Sequence, residues 1–231
     1  MVDYQAYDAL TFDCYGTLID WESGILAGLR VALGDSISDV SDEQLLQEFS
    51  RHEHEAEVPY KGYREVLGLT LRLLAAERGI TTSAEQEAQF GGSVVDWPAS
   101  PDSHDALAKL QKVFKLVVIT NCDDDLFAAS AKRLGIEFDE VITAQQVGSY
   151  KPNIANFHFA HEKIARTLGI SKDRILHVAQ SLFHDHGPAK SIGMTTVHIS
   201  RRGNGAAPAA TATPDQVFPD METFAAAVTG S

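Results

Sequence analysis

The 231 residues, 44% of them hydrophobic, suffice for one large globular unit or for a core with a smaller insert, without covalent staples. A net charge of -13, from 19 Lys and Arg against 32 Asp and Glu, argues against nucleic acid or an anionic membrane as partner, because both would be repelled. The two cysteines, Cys14 and Cys122, have no disulfide-framework or zinc spacing, the N-terminus lacks a leader pattern, and no stretch nears the roughly 18 apolar residues of a spanning helix; the expected compartment is the cytoplasm.

In chain order, Ala9, Leu10 and Phe12 predict a buried strand of a parallel sheet, with Asp13 at its end and Gly16 allowing a sharp turn beyond it. Open α/β sheets place ligands at that end of their strands. Two residues after Asp13, where a second acid could stand, there is Tyr15. Residues 20–97 then read as helices with no convincing strand: one from Trp21, one after the capping signal Ser41-Asp42-Glu43-Gln44, and one from Tyr63 that ends near Gly79. The Pro-rich stretch Trp97 to Pro101 punctuates the chain.

Beyond it, helices and strands alternate: a helix over 102–112, a strand from Phe114 to Thr120, a helix over 123–134, and a short strand Val141 to Thr143. A helix over 153–168, a strand Ile175 to Ala179, a helix over 185–192 and a strand Thr195 to Ile199 follow. Residues 203–214, rich in Gly, Ala and Pro, predict a loop before an edge strand at Gln216 to Phe218 and a closing helix from Met221 to Val228. The expected architecture is α/β: a Rossmann-like core of residues 1–19 and 98–231, with residues 20–97 as an all-helical cap inserted after the first strand.

If the strands are parallel, their polar ends converge on one rim. Asp13 is a candidate nucleophile there, Thr120 and Asn121 supply a hydroxyl and an amide, Lys151 lies on a loop fixed by Pro152 at a helix start, and Asp185 follows the fourth strand. Each has a blander reading: Asp13 as a helix cap, Lys151 as a solvated lysine, Asp185 as an acid favoured by a helix N-terminus. Their joint appearance at successive strand ends favours chemistry. Trp21, Tyr60 and Tyr63 are candidates for a pocket wall or for packing.

These motifs, Asp13-x-Tyr15-Gly16-Thr17, Thr120-Asn121, Lys151-Pro152 and Val178 to Asp185, resemble in order and spacing the four motifs of the haloacid dehalogenase superfamily. The likeness covers nearly the whole chain, and Tyr15 makes it resemble the L-2-haloacid dehalogenase branch. It implies a hydrolase of carbon–halide bonds, acting on a short 2-haloacid through an ester on Asp13 and needing no metal or other cofactor. It implies catalytic roles for Asp13, Thr17, Lys151 and Asp185, and substrate contacts from Tyr15, Arg51, Thr120, Asn121, Ser181 and His184, with Arg51 about where the family keeps a halide-receiving arginine. The superfamily's magnesium-dependent phosphatases carry a second acid where Tyr15 stands and a further acid at about Gln180; magnesium needs several hard oxygen ligands, so losing both weakens such a site.

Phe157 stands where the family usually has a tyrosine, and Gln180, Leu182 and His184 depart from the usual fourth motif. Two further readings stay open, a magnesium-dependent phosphatase and a non-catalytic carboxylate-binding protein of the same fold. Of the histidine pairs His52/His54, His158/His161 and His184/His186, only the middle one has a helical spacing, and none comes with the further ligands zinc requires. A homodimer is the default expectation for the assembly.

Overall fold

The computed structural model describes residues 2–201 and 210–230. Six strands form one wholly parallel sheet: β1 (Ala9–Phe12), β2 (Lys115–Thr120), β3 (Glu140–Thr143), β4 (Ile175–Ala179), β5 (Thr195–Ile199) and β6 (Gln216–Phe218), in the spatial order β3-β2-β1-β4-β5-β6. β1 lies between β2 and β4, with Phe12 level with Val118 on one side and Val178 on the other. Chain order reverses about β1, so the crevice of such a sheet opens at the carboxyl ends of β1, β2 and β4. Every residue of β1 and β4 is buried, as expected of strands covered on both faces.

Four α-helices lie between β1 and Trp97: α1 (Trp21–Leu33), α2 (Asp42–Ala56), α3 (Tyr63–Glu77) and α4 (Ala84–Gly92). Side chains cap three of them: Asp20 accepts from the Ser23 N–H, Ser41, at the capping signal of the sequence, from the Gln44 N–H, and Ser83 forms a reciprocal box with Gln86, while α3 starts after Gly62 without a side-chain cap. Their apolar faces meet in Leu45, Leu46, Phe49, Val66, Leu67, Leu71 and Phe90, all buried. Gly24 of α1 sits so close to Trp97 that a Cβ there would lie 2.3 Å from the indole, so glycine is required. The excursion leaves and returns at one place: the Asp20 N–H donates to the Pro98 carbonyl at 2.9 Å, and Ser100 N–H to Leu18 at 3.0 Å.

After β2 come α6 (Asp124–Leu134), preceded in the chain by α5 (Ser103–Leu110), then the short α7 (Ala144–Val147), α8 (Ala155–Leu168), α9 (Gly187–Ser191) and α10 (Met221–Thr229). Two expectations need correction. The helix expected over 153–168 starts at Ala155, so Pro152 stands in the preceding turn and not at a helix start; the Lys151–Pro152 peptide is cis. The helix expected over 185–192 forms at Gly187–Ser191 as α9, but Asp185 and His186 belong to a wide turn at Leu182–His186 that leads into it, because the Ser181 carbonyl accepts from both of their N–H groups. Most of the loop expected over 203–214 lies outside the described residues, and 210–214 carry no regular structure.

Candidate active site

Asp13 leaves β1 with its N–H on the Val178 carbonyl at 3.1 Å. Gly16, at φ +97°, turns the chain in a conformation that favours glycine, and the N–H groups of Leu18 and Ile19 close on the Cys14 carbonyl. That turn brings the Thr17 hydroxyl back to donate to Asp13 Oδ2 at 2.7 Å, while Thr17 Oγ1 accepts from the Gln180 N–H at 2.9 Å. One hydroxyl thus ties the loops after β1 and β4 to the same carboxylate.

Lys151 is 1% exposed, and its ammonium spends its three donors on Asp13 Oδ1 at 2.8 Å, Asp185 Oδ1 at 2.7 Å and the Ile119 carbonyl at 2.8 Å. Asn121 fixes the lysine's backbone: its side-chain oxygen accepts from the Lys151 N–H at 2.7 Å and its NH₂ donates to the Lys151 carbonyl at 3.0 Å. Asp185, fully buried, also accepts from His177 Nε2 at 3.1 Å. His177 Nδ1 meets the Thr11 hydroxyl at 2.9 Å, so a neutral ring that donates to Asp185 accepts from Thr11.

These contacts separate the two acids. Burial works against the charge of Asp185, but Lys151 and the His177 hydrogen bond outweigh it and hold this carboxyl well below its ordinary value. Burial, with the negative charge of Asp185 added, leaves Asp13 above its ordinary value despite Lys151 and Thr17. Lys151 pays desolvation, which is more than offset by the two carboxylates, and it stays protonated. The cluster holds one cation against two carboxylates, and Asp185 Oδ2 is buried without a hydrogen-bond partner, an acceptor open to a water or a ligand.

A cavity of about 90 Å³ opens over this cluster. Asp13, Asn121, Lys151, Gln180, Ser181, His184 and Asp185 form its floor, and Tyr15, Trp21 and Trp97 stand at its side. Its roof is Ser50, Glu53 and Glu57 of α2 and the turn after it, with Tyr63 of α3. The Tyr63 hydroxyl donates to Glu53 Oε1 at 2.6 Å. Burial pushes the Glu53 carboxyl up to about 7, and burial with the neighbouring Glu53 charge pushes Glu57 up to about 8.

The structure thus brings Asp13, Thr17, Lys151 and Asp185 together, with Tyr15, Asn121, Ser181 and His184 on the cavity wall. The Tyr15 hydroxyl is engaged elsewhere, with Ser130 at 3.0 Å and Cys122 at 3.3 Å. Burial holds the His184 ring down to about 4, so it is neutral near pH 7, bonded to Ser181 at 3.1 Å. Thr120 is buried at the end of β2 and does not line the cavity; its hydroxyl has no partner. Arg51 is corrected: it projects to solvent, 56% exposed, and pairs with Glu77 at 2.7 Å. It lies one residue, about 100° around the helix, from the strip Ser50, Glu53, Glu57 that faces the cavity. Sequence reasoning missed Glu53 and Glu57, although their spacing from Ser50 marks one helix face, and missed His177, a lone polar ring among the apolar residues of β4. Burial pushes the Cys122 thiol up to about 12 and Cys14 well above its ordinary value, which disfavours the thiolate at both.

A family model of haloacid dehalogenase-like hydrolases matches residues 7–191, which include Asp13, Lys151 and Asp185. The chain belongs to the haloacid dehalogenase-like hydrolases. Among solved structures of similar fold is the L-2-haloacid dehalogenase from Xanthobacter autotrophicus, at 20% identity and TM-score 0.81 over 97% of this chain and 99% of that one. The same enzyme with chloropropionic acid covalently bound matches at TM-score 0.80 and 20% identity, with the same coverage. Bacillus subtilis YfnB bound to magnesium matches at TM-score 0.79 and 19% identity, over 97% of this chain and 99% of that one. No curated protein matches the chain in sequence.

For a haloacid dehalogenase-like hydrolase the question of magnesium follows directly. The residues present fit it poorly: both Asp13 oxygens are engaged by Lys151 and Thr17, Lys151 brings a positive charge to the same oxygens, and one Asp185 oxygen already serves Lys151 and His177. Where a second acid would stand, Tyr15 turns its hydroxyl to Ser130, and Gln180 offers at most an amide oxygen. Among the described residues no group of three His, Cys, Asp or Glu is placed to hold a metal, the pair His158/His161 included. Nor is any described helix long and apolar enough to cross a membrane.

Proposed function

We propose that the chain hydrolyses the carbon–halogen bond of a short 2-haloalkanoic acid through an ester on Asp13. The observation that carries this reading is a buried carboxylate oriented by Lys151 and Thr17, beside a small cavity, with Tyr15, its hydroxyl turned to Ser130, and not a second acid two residues on in the same turn. A halide leaves without a proton, so that arrangement suits carbon–halogen cleavage. The likeness of fold to an L-2-haloacid dehalogenase carrying covalently bound chloropropionic acid supports it.

In the first step an Asp13 oxygen attacks the carbon bearing the halogen, a carbon–oxygen bond forms, and the carbon–halogen electron pair leaves with the halide. Lys151 and Thr17 hold the attacking group in line, and burial above its ordinary proton affinity makes Asp13 a stronger nucleophile once ionised. In the second step water adds to the Asp13 carbonyl carbon. Asp185 Oδ2, the buried oxygen without a partner, accepts the water's proton, and the ester oxygen that gains charge lies against the Lys151 or Thr17 donors. Collapse breaks the bond between the Asp13 carbonyl carbon and the substrate oxygen, which takes up the proton held on Asp185; the second water proton passes to solvent, restoring the Asp13 carboxylate and releasing the 2-hydroxy acid.

One turnover of chloroacetate in oxygen-18 water, with EDTA present, tests this. Chloride release with the label in Asp13 is the expected result. Label confined to the product would overturn the ester, and magnesium-dependent release of phosphate from a phosphate ester with no chloride release would overturn the reaction class.

A further inference from the structure

The roof of the cavity carries acid where an anionic substrate calls for a donor. With Arg51 turned outward, the polar groups that α2 and its following turn offer are Ser50, Glu53 and Glu57, and among the described residues neither glutamate has an ion-pair partner. The nearby cations are committed: Lys61 Nζ donates to the carbonyls of Ala56 and Pro59, Arg64 pairs with Asp125, and Lys151 is shared by Asp13 and Asp185. With every acid ionised, the cavity would hold four carboxylates against one ammonium, and a haloacid would add a fifth negative charge.

We propose that Glu57, as the neutral carboxylic acid, donates a hydrogen bond to the negative end of the bound substrate, that Glu53 is the neighbour that keeps the proton there, and that anion binding therefore takes up a proton. The proposal rests on the substrate being an anion, as the reaction above requires. Glu53 is pinned by the Tyr63 hydroxyl and sits one helical turn from Glu57, so two negative charges on one half-buried face oppose each other. The buried, unpartnered Asp185 Oδ2 on the floor is a second sign that the cavity is completed by a ligand or a water.

The titratable groups around the pair sort by pH. From α3 comes Tyr63, from the core Tyr15, Cys122 and Tyr150, all pushed up by burial and out of the neutral range. His184 is held down to about 4, and Asp185 lies lower. Asp13 and Lys151 face the pair from the floor, Tyr150 interacts with Glu57 and also with Asp123 and Tyr60, and His54 is the exposed histidine on the same helix. Against that background Glu53 at about 7 and Glu57 at about 8 are half-buried carboxyls of the roof placed to change charge between pH 6 and 9.

The test is calorimetric binding of chloroacetate to the Asp13→Asn protein, which forms no ester, between pH 6 and 9 in two buffers of different ionisation heat. Affinity is expected to fall about tenfold from pH 7 to pH 9, as the neutral fraction of an acid titrating near 8 does, with proton uptake on binding. In the Asp13→Asn background, Glu57→Gln, an amide donor at every pH, should abolish the alkaline fall, and Glu57→Leu should weaken binding throughout. A pH-independent affinity, a fall that persists in Glu57→Gln, no binding at any pH, or methylammonium binding more tightly than chloroacetate would each overturn the proposal. The failures separate: proton-coupled binding without chloride release from the intact enzyme sinks the dehalogenase reading alone, and chloride release with pH-independent binding sinks the donor alone.

Discussion

The floor and the roof of one small cavity treat charge in opposite ways. On the floor, Lys151 is matched donor for donor by Asp13, Asp185 and the Ile119 carbonyl, and His177, Thr17 and Asn121 hold the partners in place. On the roof, among the described residues, Glu53 has a single hydroxyl donor and Glu57 has no ion pair. A compensated cluster keeps its geometry whether or not a ligand is present, which is what reaction chemistry requires. An uncompensated one changes protonation with its occupant, which is what selection among ligands requires. On the proposed function, chemistry falls to the sheet and choice of substrate to the helices.

The largest effect should come from unbalancing the floor. Lys151→Met leaves two buried carboxylates without their cation, so chloroacetate turnover is expected to vanish and stability to fall by about 3–5 kcal/mol. A denaturant midpoint equal to that of the unsubstituted chain would show that the floor is not held together by this lysine. Next comes His177, which acts through Asp185. His177→Leu should lower kcat by roughly ten- to a hundredfold with little change in KM, on the scale seen when supporting contacts of a site are removed. His177→Gln, which retains an N–H donor, should recover part of that loss, and a Gln variant as poor as Leu would assign His177 to packing. Smallest is Arg51→Ala on the outer face of the roof helix: kcat/KM for chloroacetate should change less than twofold. A larger loss would put Arg51 back in the cavity and erase the contrast.

The sequence makes the floor legible and the roof obscure for one physical reason. Asp13, Thr17 and Lys151 sit in loops beside strand ends, where parallel pairing forces side chains from distant positions onto one rim, so motif order alone brings them together. The hydrophobic pattern of β1, β2 and β4 is nearly continuous and reads correctly as buried strand. Facing on a roof helix is different, because it depends on how α2 docks against α3 and on which side of the buried strip Leu45, Leu46, Phe49, His52 and Ala56 the cavity lies. A one-residue choice rotates a side chain by about 100°, enough to exchange Arg51 for Ser50. His177 escaped notice because a strand buried on both faces shows no alternation against which a functional ring stands out. The helix expected over 185–192 begins two residues late because Asp185 and His186 belong to a turn whose hydrogen-bond ring is set by Ser181 and not by any residue-type signal within it.

The hydrogen-bonded meeting of Asp20 with Pro98, and of Leu18 with Ser100, has a topological consequence. The chain leaves the sheet and rejoins it at one knot of backbone contacts, so the sheet sees the same two ends whatever length of chain runs between them. Strand register and the spacing of Asp13, Lys151 and Asp185 are insulated from insertions or deletions among α1 to α4. The roof is therefore the part of the molecule that can be re-drafted residue by residue while the floor keeps its form.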